Sequence, residues 1–285
     1  MVYLLLAILF SSILFIVLKS FSRYNINTLQ AIIFNYIIAF SVGLLINKTK
    51  ISITETFEKP WLYYCIYLGI LFIGIFFTMG KTAQKNGVSV ASVASKMSLI
   101  IPVLFGIYFF KEELSSQKII GIFIALAAVY FTTKENDVTI EPSNFIYPIL
   151  LFIGSGVIDT SMNYIQKNWV KEEEIALFSS FTFLSAFTFG LIVLIYQTIK
   201  NQFTFHFKNL IGGFLLGIPN YFSMYFLIRA LHNQKIQSAT LFTLINIGVI
   251  LLSSLIGVLL FKEKLKRHNY IGIALAIIAL LLVSF

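Results

Sequence analysis

Ten apolar runs separated by short polar breaks make up nearly the whole chain, predicting helices near 2–20, 27–46, 61–83, 88–110, 117–133, 144–167, 174–199, 208–231, 236–260 and 268–285. A hydrocarbon core about 30 Å thick takes roughly 20 apolar residues to cross at 1.5 Å per residue. Each run is long enough to cross once. Barrel strands would instead alternate over about ten residues, and these runs are continuous. The pattern predicts an all-α integral membrane protein of ten transmembrane helices. The first run follows Met1 with no basic segment and no small-residue cleavage site, so it reads as a retained helix rather than a signal peptide.

Composition agrees with this reading. Of 285 residues, 58% are hydrophobic and 12% charged, against about 25% charged in an average soluble domain. The formal charge of +9 comes from Lys and Arg scattered through short inter-helix loops rather than gathered on a stripe, which argues against a nucleic-acid partner. With the N-terminus inside, nine basic residues fall in inner loops and eleven in outer ones, so charge bias gives no orientation. Cys65 is the only cysteine, which excludes an intramolecular disulfide and a cysteine-rich metal site. His206, His232 and His268 fall at predicted helix ends or loops, and no HExxH, GxSxG or carboxylate pair is present. The sequence therefore predicts no enzyme, no metal and no cofactor, and without a P-loop, no ATP-driven step.

The chain also repeats itself. Phe110-Lys111-Glu112-Glu113-Leu114 is followed by Gly121-Ile122, and Phe261-Lys262-Glu263-Lys264-Leu265 by Gly272-Ile273, an offset of 151 residues. Ala125 and Ala276 continue this register. Upstream the offset becomes 147, pairing Ala83 with Ala230, Lys85 with His232, Lys96 with Thr243 and Pro102 with Val249. The expected organisation is a first five-helix repeat at 1–133, a polar linker at 134–143 and a second repeat at 144–285, forming one membrane domain. A five-helix unit ends on the side opposite its start, so tandem copies insert upside-down relative to each other. Glu112 and Glu263, at the corners, are expected to cap or pair at the turn.

Two five-helix halves, each closing with an apolar helix, a short [FG]-x-E-x-L corner and a Gly/Ala-rich final helix, resemble the EamA-type transporters of the drug/metabolite transporter superfamily. The resemblance covers essentially the whole chain. One departure concerns the bend of the fourth helix: the family usually places a proline about thirteen residues before the corner glutamate, whereas Pro102 lies ten before Glu112 and the second copy has none. The resemblance implies a secondary transporter in the inner or plasma membrane, working by alternating access, that exports or exchanges a small metabolite such as an amino acid. It also implies cytosolic termini. An uncoupled facilitator or channel and a non-transporting scaffold are the alternatives.

Ionisable residues deep in a membrane segment are costly and mark candidate sites. Ser155, Asp159, Asn163 and Gln166 follow one another at i+4, i+4 and i+3, a single polar stripe on the sixth helix. Asp159 lies eight residues before Lys167, about 12 Å inside, and is too short to reach water by snorkelling. It reads either as a hydrogen-bonded helix contact or as a group in a wet cavity that meets a cationic solute or exchanges a proton. Lys96, with Ser89 and Ser92 on its face, could snorkel or enter the same cavity. Asn35, Tyr36, Tyr164, Asn220, Tyr221, Thr243 and Asn246 could hydrogen-bond a solute or bridge helices. Gly213 and Gly217 form a small-xxx-small pair expected to serve packing. Trp61 and Trp169 fit interfacial anchors. The expected partners are a small-molecule solute, possible coupling protons and membrane lipid.

Overall fold

The computed structural model describes residues 2–47, 53–102, 104–105, 115–133, 143–200, 204–231 and 238–284. Among these are eleven α-helices and one short 3-10 turn, with no strand. The helices are α1 (Val2–Arg23), α2 (Thr28–Ile46), α3 (Ile53–Phe57), α4 (Trp61–Asn86), α5 (Val88–Met97) and α6 (Ser116–Thr133) in the first half. The second half holds α7 (Ser143–Trp169), α8 (Ile175–Ile199), α9 (Phe207–Leu231), α10 (Ser238–Phe261) and α11 (Arg267–Ser284). Seven helices are long and apolar enough to cross a membrane, and the segments Val88–Pro102, Ile119–Thr132 and Arg267–Leu282 are shorter apolar helices. Together they occupy the positions of the ten predicted runs. The Phe110–Leu114 corner with Glu112, the linker 134–142, His232 and Lys235 lie outside the described residues.

The packing has the symmetry of an inverted repeat. Exchanging the halves relates α1 against α9 to α7 against α4, α2 against α9 to α8 against α4, and α1 against α10 to α7 against α5. The pairs α2–α8, α5–α10 and α6–α11 map onto themselves. Helices therefore bury their faces mainly against the opposite half, so neither half is a separate layer.

Polar contacts sort the helix ends into two sets. The Asn27 N–H at the start of α2 donates to Asn209 Oδ1 at the start of α9 (2.9 Å), and Lys19 of α1 donates to the Gln84 carbonyl near the end of α4 (3.1 Å). Asn269, opening α11, donates to the Thr132 carbonyl at the end of α6 (2.9 Å). These contacts define a first end of the bundle. At the second end, Trp61 at the start of α4 donates its indole N–H to Glu174 Oε2, just before α8 (3.2 Å). Arg229, near the end of α9, pairs with Glu172 (2.8 Å).

Where helices approach closely, glycine makes the room. A Cβ on Gly213 would lie 3.0 Å from the Asn35 N, and one on Gly217 would lie 2.7 Å from the Asn35 carbonyl oxygen. The expected packing pair thus seats α9 on the backbone of α2. Helix α9 continues through Pro219, whereas α5 is interrupted after Met97, before Pro102. Proline has no N–H for the carbonyl four residues back, and its ring crowds that carbonyl. Here that carbonyl belongs to Ser98, which accepts from the Ile101 N–H instead (2.9 Å), and the regular helix ends at Met97.

Most buried hydroxyls are satisfied within their own helix, as a membrane interior requires: Thr82 donates to the Thr78 carbonyl (2.8 Å) and Ser180 to that of Ala176 (2.7 Å). Trp61 departs from expectation. It is fully buried because its N–H is drawn to the buried Glu174, so it joins the halves rather than facing headgroups. Trp169 is exposed, as an anchor would be.

Candidate functional site

A cavity of about 140 Å³ lies between α1, α4 and α5 of the first half and α7 and α9 of the second. A single water needs only about 10–15 Å³ of such space, so several waters or a small solute fit. The lining residues are Ser11, Leu14 and Phe15 on α1, Phe72 to Met79 positions on α4, Ser95 and Lys96 on α5, Ser155 to Gln166 positions on α7, and Asn220 to Ile228 positions on α9. On α5, α7 and α9 these are the parts of each helix nearer the second end, whereas on α1 and α4 they lie near mid-length. The cavity thus sits near mid-depth and reaches further toward the second end along α5, α7 and α9.

The four residues of the predicted stripe, Ser155, Asp159, Asn163 and Gln166, all face this cavity. Two sequence features put them there. Their spacing keeps them on one helix face, and the small residues Gly154 and Gly156 flank the stripe where α7 meets α4 and α5, with Ile75 and Ile101 as neighbours. Lys96 enters from α5, so an acidic and a basic side chain face the same space.

Around them runs a chain of hydroxyls. Ser155 and Ser95 share a hydrogen bond across α7 and α5 (3.3 Å). The Ser98 hydroxyl donates to the Ser95 carbonyl and also lies 3.3 Å from Asp159 Oδ2. One hydroxyl carries one proton, so Ser98 can donate to only one of these at a time. When it serves Ser95, its contact with Asp159 is satisfied by a carboxyl that itself donates.

The other expected residues are distributed differently. Asn220 lines the cavity and donates to Asn35 Oδ1 (2.7 Å). Asn35 itself is buried on α2 and donates back to the Ile32 carbonyl, so the pair ties α9 to α2 at the cavity wall. Tyr36 and Tyr221 are buried one residue further on, packed against Phe183 with ring centroids 6.1 and 6.4 Å apart. Their hydroxyls have no hydrogen-bond partner among the described residues, and neither lines the cavity. Tyr164 is exposed and Asn246 buried on α10, both away from it. The Thr243 side chain lies outside the described residues.

Sequence reading had not singled out Ser11, Ser95, Ser98 or Ser223, nor the lining Phe72, Phe76, Met79, Met162 and Met224. Serines and methionines at helical spacing are too common in apolar helices to signal a site. The described residues hold no group of three or more His, Cys, Asp or Glu that could bind a metal.

Comparison with known proteins places this geometry in context. The sequence profile described as the EamA-like transporter family matches residues 1–134 and 146–285. A Haemophilus influenzae protein described as uncharacterized is 29% identical over 97% of this chain and 95% of its own length. The glucose uptake protein GlcU of Bacillus subtilis is 24% identical over 85% of each. A crystal structure aligns over 98% of both chains with a TM-score of 0.59 at 15% identity, a likeness of fold.

Proposed function

Because the chain belongs to the EamA-like transporter family, and is thus a multi-pass membrane transporter, we propose that it moves a small amino acid-like metabolite by alternating access, as an exporter or exchanger. The observation that carries this is a carboxylate and an ammonium, Asp159 and Lys96, facing one cavity from opposite halves. A zwitterion presents the complementary pair: its carboxylate to Lys96 and its ammonium to Asp159. Asn163 and Asn220 supply neutral hydrogen bonds, and Phe72, Phe76 and Met162 an apolar wall for a side chain. Tyr36, Tyr164, Tyr221, Asn35, Thr243 and Asn246 remain candidates for a solute path that reaches beyond this cavity in another state of the cycle.

The single proton of Ser98 supports protons as the coupling ion, since Asp159 can donate or accept at that contact. Net movement then follows from Asp159 carrying its proton in one orientation and a solute cation in the other. The alternation of helix ends supports a common side for both termini, cytosolic in a cell membrane. A second reading, a sugar-like polyol, is favoured by the name of the Bacillus subtilis relative and by the neutral set Ser11, Asn163, Gln166, Asn220 and Ser223.

The test starts from purified protein and a thermal-shift screen of amino acids and sugars, since a ligand of the folded state raises its stability by mass action. Hits are then followed by counterflow in proteoliposomes. Saturable counterflow of an amino acid supports the first reading, and of glucose alone the second. Non-saturating flux without counterflow indicates a channel, and no flux for any binder a scaffold.

A further inference from the structure

Glu263 lies outside the cavity, at the corner joining α10 to α11, and the solute site does not use it. Its carboxylate reaches out of its own half. Oε1 accepts the Val88 N–H (2.7 Å), and Oε2 accepts the Ser89 hydroxyl (3.4 Å). Val88 is the first residue of α5, so a residue of the second half caps a helix of the first. The first N–H groups of a helix lack intrahelical acceptors and form the positive end of its dipole, which is where a carboxylate binds best.

Two glycines, one from each half, leave the space for it. Gly87 has φ of 102°, a conformation that side chains rarely adopt, and a Cβ there would lie 3.1 Å from Glu263 Oε1. A Cβ on Gly257 would lie 2.8 Å from Oε2. The corner is held in turn by the Glu263 N–H donating to the Gly257 carbonyl (3.3 Å). Lys19 of α1 adds a favourable charge interaction with Glu263 while donating to the Gln84 carbonyl.

This contact sits at the first end, beyond the cavity's lining on α5. Along α5 every residue from Val88 to Ala94 is buried before the lining begins at Ser95 and Lys96. Helices α5 and α10 pack directly on each other and are exchanged by the repeat symmetry. If one half rocks against the other to open a route at the first end, α5 and α10 move relative to each other, and the Glu263–Val88 bond joins them there.

We propose that Glu263 is the latch of the first end: docked on the N-terminus of α5, its carboxylate holds the cavity shut on that side, and its release accompanies opening. The inference rests on the transport reading, because only a carrier needs both ends to open in turn. A static cap would stabilise the fold and leave access unchanged. A latch sets the ratio of the two access states.

The test uses full-length protein in proteoliposomes, with Cys65→Ala as background and Ser92→Cys as reporter. Ser92 is buried on α5 between the cap and Lys96. The rate of labelling by a membrane-impermeant maleimide is measured from each side, together with thermal stability and solute flux. Glu263→Gln keeps the size and removes the charge. It is expected to raise labelling from the first-end side severalfold, up to about tenfold, the population change from reducing a charge-assisted hydrogen bond to a neutral one, with second-end labelling unchanged or lower. Unchanged labelling in both Glu263→Gln and Glu263→Ala overturns the latch, as does faster labelling from both sides with lowered stability, which is general loosening.

If those variants do not fold, a Ser89→Cys, Glu263→Cys pair joined by a short thiol-cleavable reagent replaces them. The link is expected to stop flux, and dithiothreitol to restore it; flux that persists with the link complete overturns the proposal. A labelling response with no flux for any solute counts against the transport reading alone, and flux with unchanged labelling against the latch alone.

Discussion

Replacing Asp159 by Asn removes the cavity's acidic group while nearly preserving its shape. The stability cost can be worked from the contacts. An amide Nδ2 can donate to Ser98 Oγ in place of the carboxyl, so the 3.3 Å contact survives as a neutral hydrogen bond, worth about 1 kcal/mol. Lys96 loses its opposite charge. In a dry interior, stranding a charge costs about 3–5 kcal/mol. A cavity of about 140 Å³ admits water, and the net loss falls to about 1 kcal/mol, a shift of only a few degrees in melting temperature. The effect on transport is larger. A hydrogen bond from a solute ammonium to a carboxylate is worth about 1.5–3 kcal/mol, or roughly 10- to 150-fold in binding. Asp159→Asn is therefore expected to give folded protein, melting within a few degrees of the parent, with flux reduced by at least tenfold. Counterflow and proton-driven uptake, measured separately, divide the roles: loss of both assigns Asp159 to the solute, and retained counterflow with lost proton-driven uptake assigns it to coupling. Parental activity with a parental pH profile in both assays would remove Asp159 from the site.

Further outcomes follow from particular contacts. Gly213→Val places a branched side chain where a Cβ already meets Phe34 and the Asn35 backbone; overpacking of this kind costs about 1–3 kcal/mol, read as a lowered melting temperature in detergent, whereas a neutral result would mean α9 and α2 are less tightly seated. The Lys59 ammonium pairs with Glu174 Oε1 (2.7 Å), and Oε2 accepts from the Trp61 indole and the Lys171 N–H. Glu174→Gln removes the charge that these groups share, and is expected to lower the melting temperature by a few degrees; an unchanged melting temperature would contradict the ion pair's role. For topology, with Cys65 replaced, single cysteines near residue 2, at 137 and at the C-terminus should label from opposite sides for 137 and the two ends; joint labelling of Asp137→Cys with either end would refute the ten-helix plan.

Legibility in the sequence tracks the range of the interaction involved. The helices were legible because membrane crossing is a local property of about 20 consecutive residues. The α7 stripe was legible for the same reason: its spacing fixes which residues share a face, and its polarity marks that face as the inner one. The break in α5 was not foreseen: the run at 88–110 was expected to form one helix, and only the structure ends it at Met97, where the carbonyl four residues before Pro102 bonds to Ile101 instead. What was not legible depends on which helices meet. Trp61 has the profile of a headgroup anchor, and only Glu174, 113 residues away, draws it inside. Glu263 was expected to act at its own corner, while its acceptor role is played 175 residues away at Val88. Ser98 becomes notable only once Asp159 is beside it. Met79, Met224 and the lining phenylalanines have nothing to distinguish them from residues that face lipid.

The duplication also explains why the charges lie where they do. An inverted repeat places equivalent helices around one axis, so a charged residue kept in both copies would face its own twin across the cavity. Two lysines or two carboxylates there would repel each other and strand buried like charges. In this chain the symmetry is kept by packing and given up by chemistry. Glycine contacts seat α9 on α2 and, through Gly69 against the Ala186 backbone, α4 on α8, two pairings the symmetry exchanges. Lys96, by contrast, has Thr243 as its counterpart in the second repeat. The positive group comes from the first half and the negative group, Asp159, from the second, on the neighbouring helices α5 and α7. An acidic and a basic side chain facing one cavity can pair in the absence of solute, and under the proposed transport of an amino acid-like solute a zwitterion would satisfy both at once. A uniform repeat could build the same ten-helix frame, but not this polarised site.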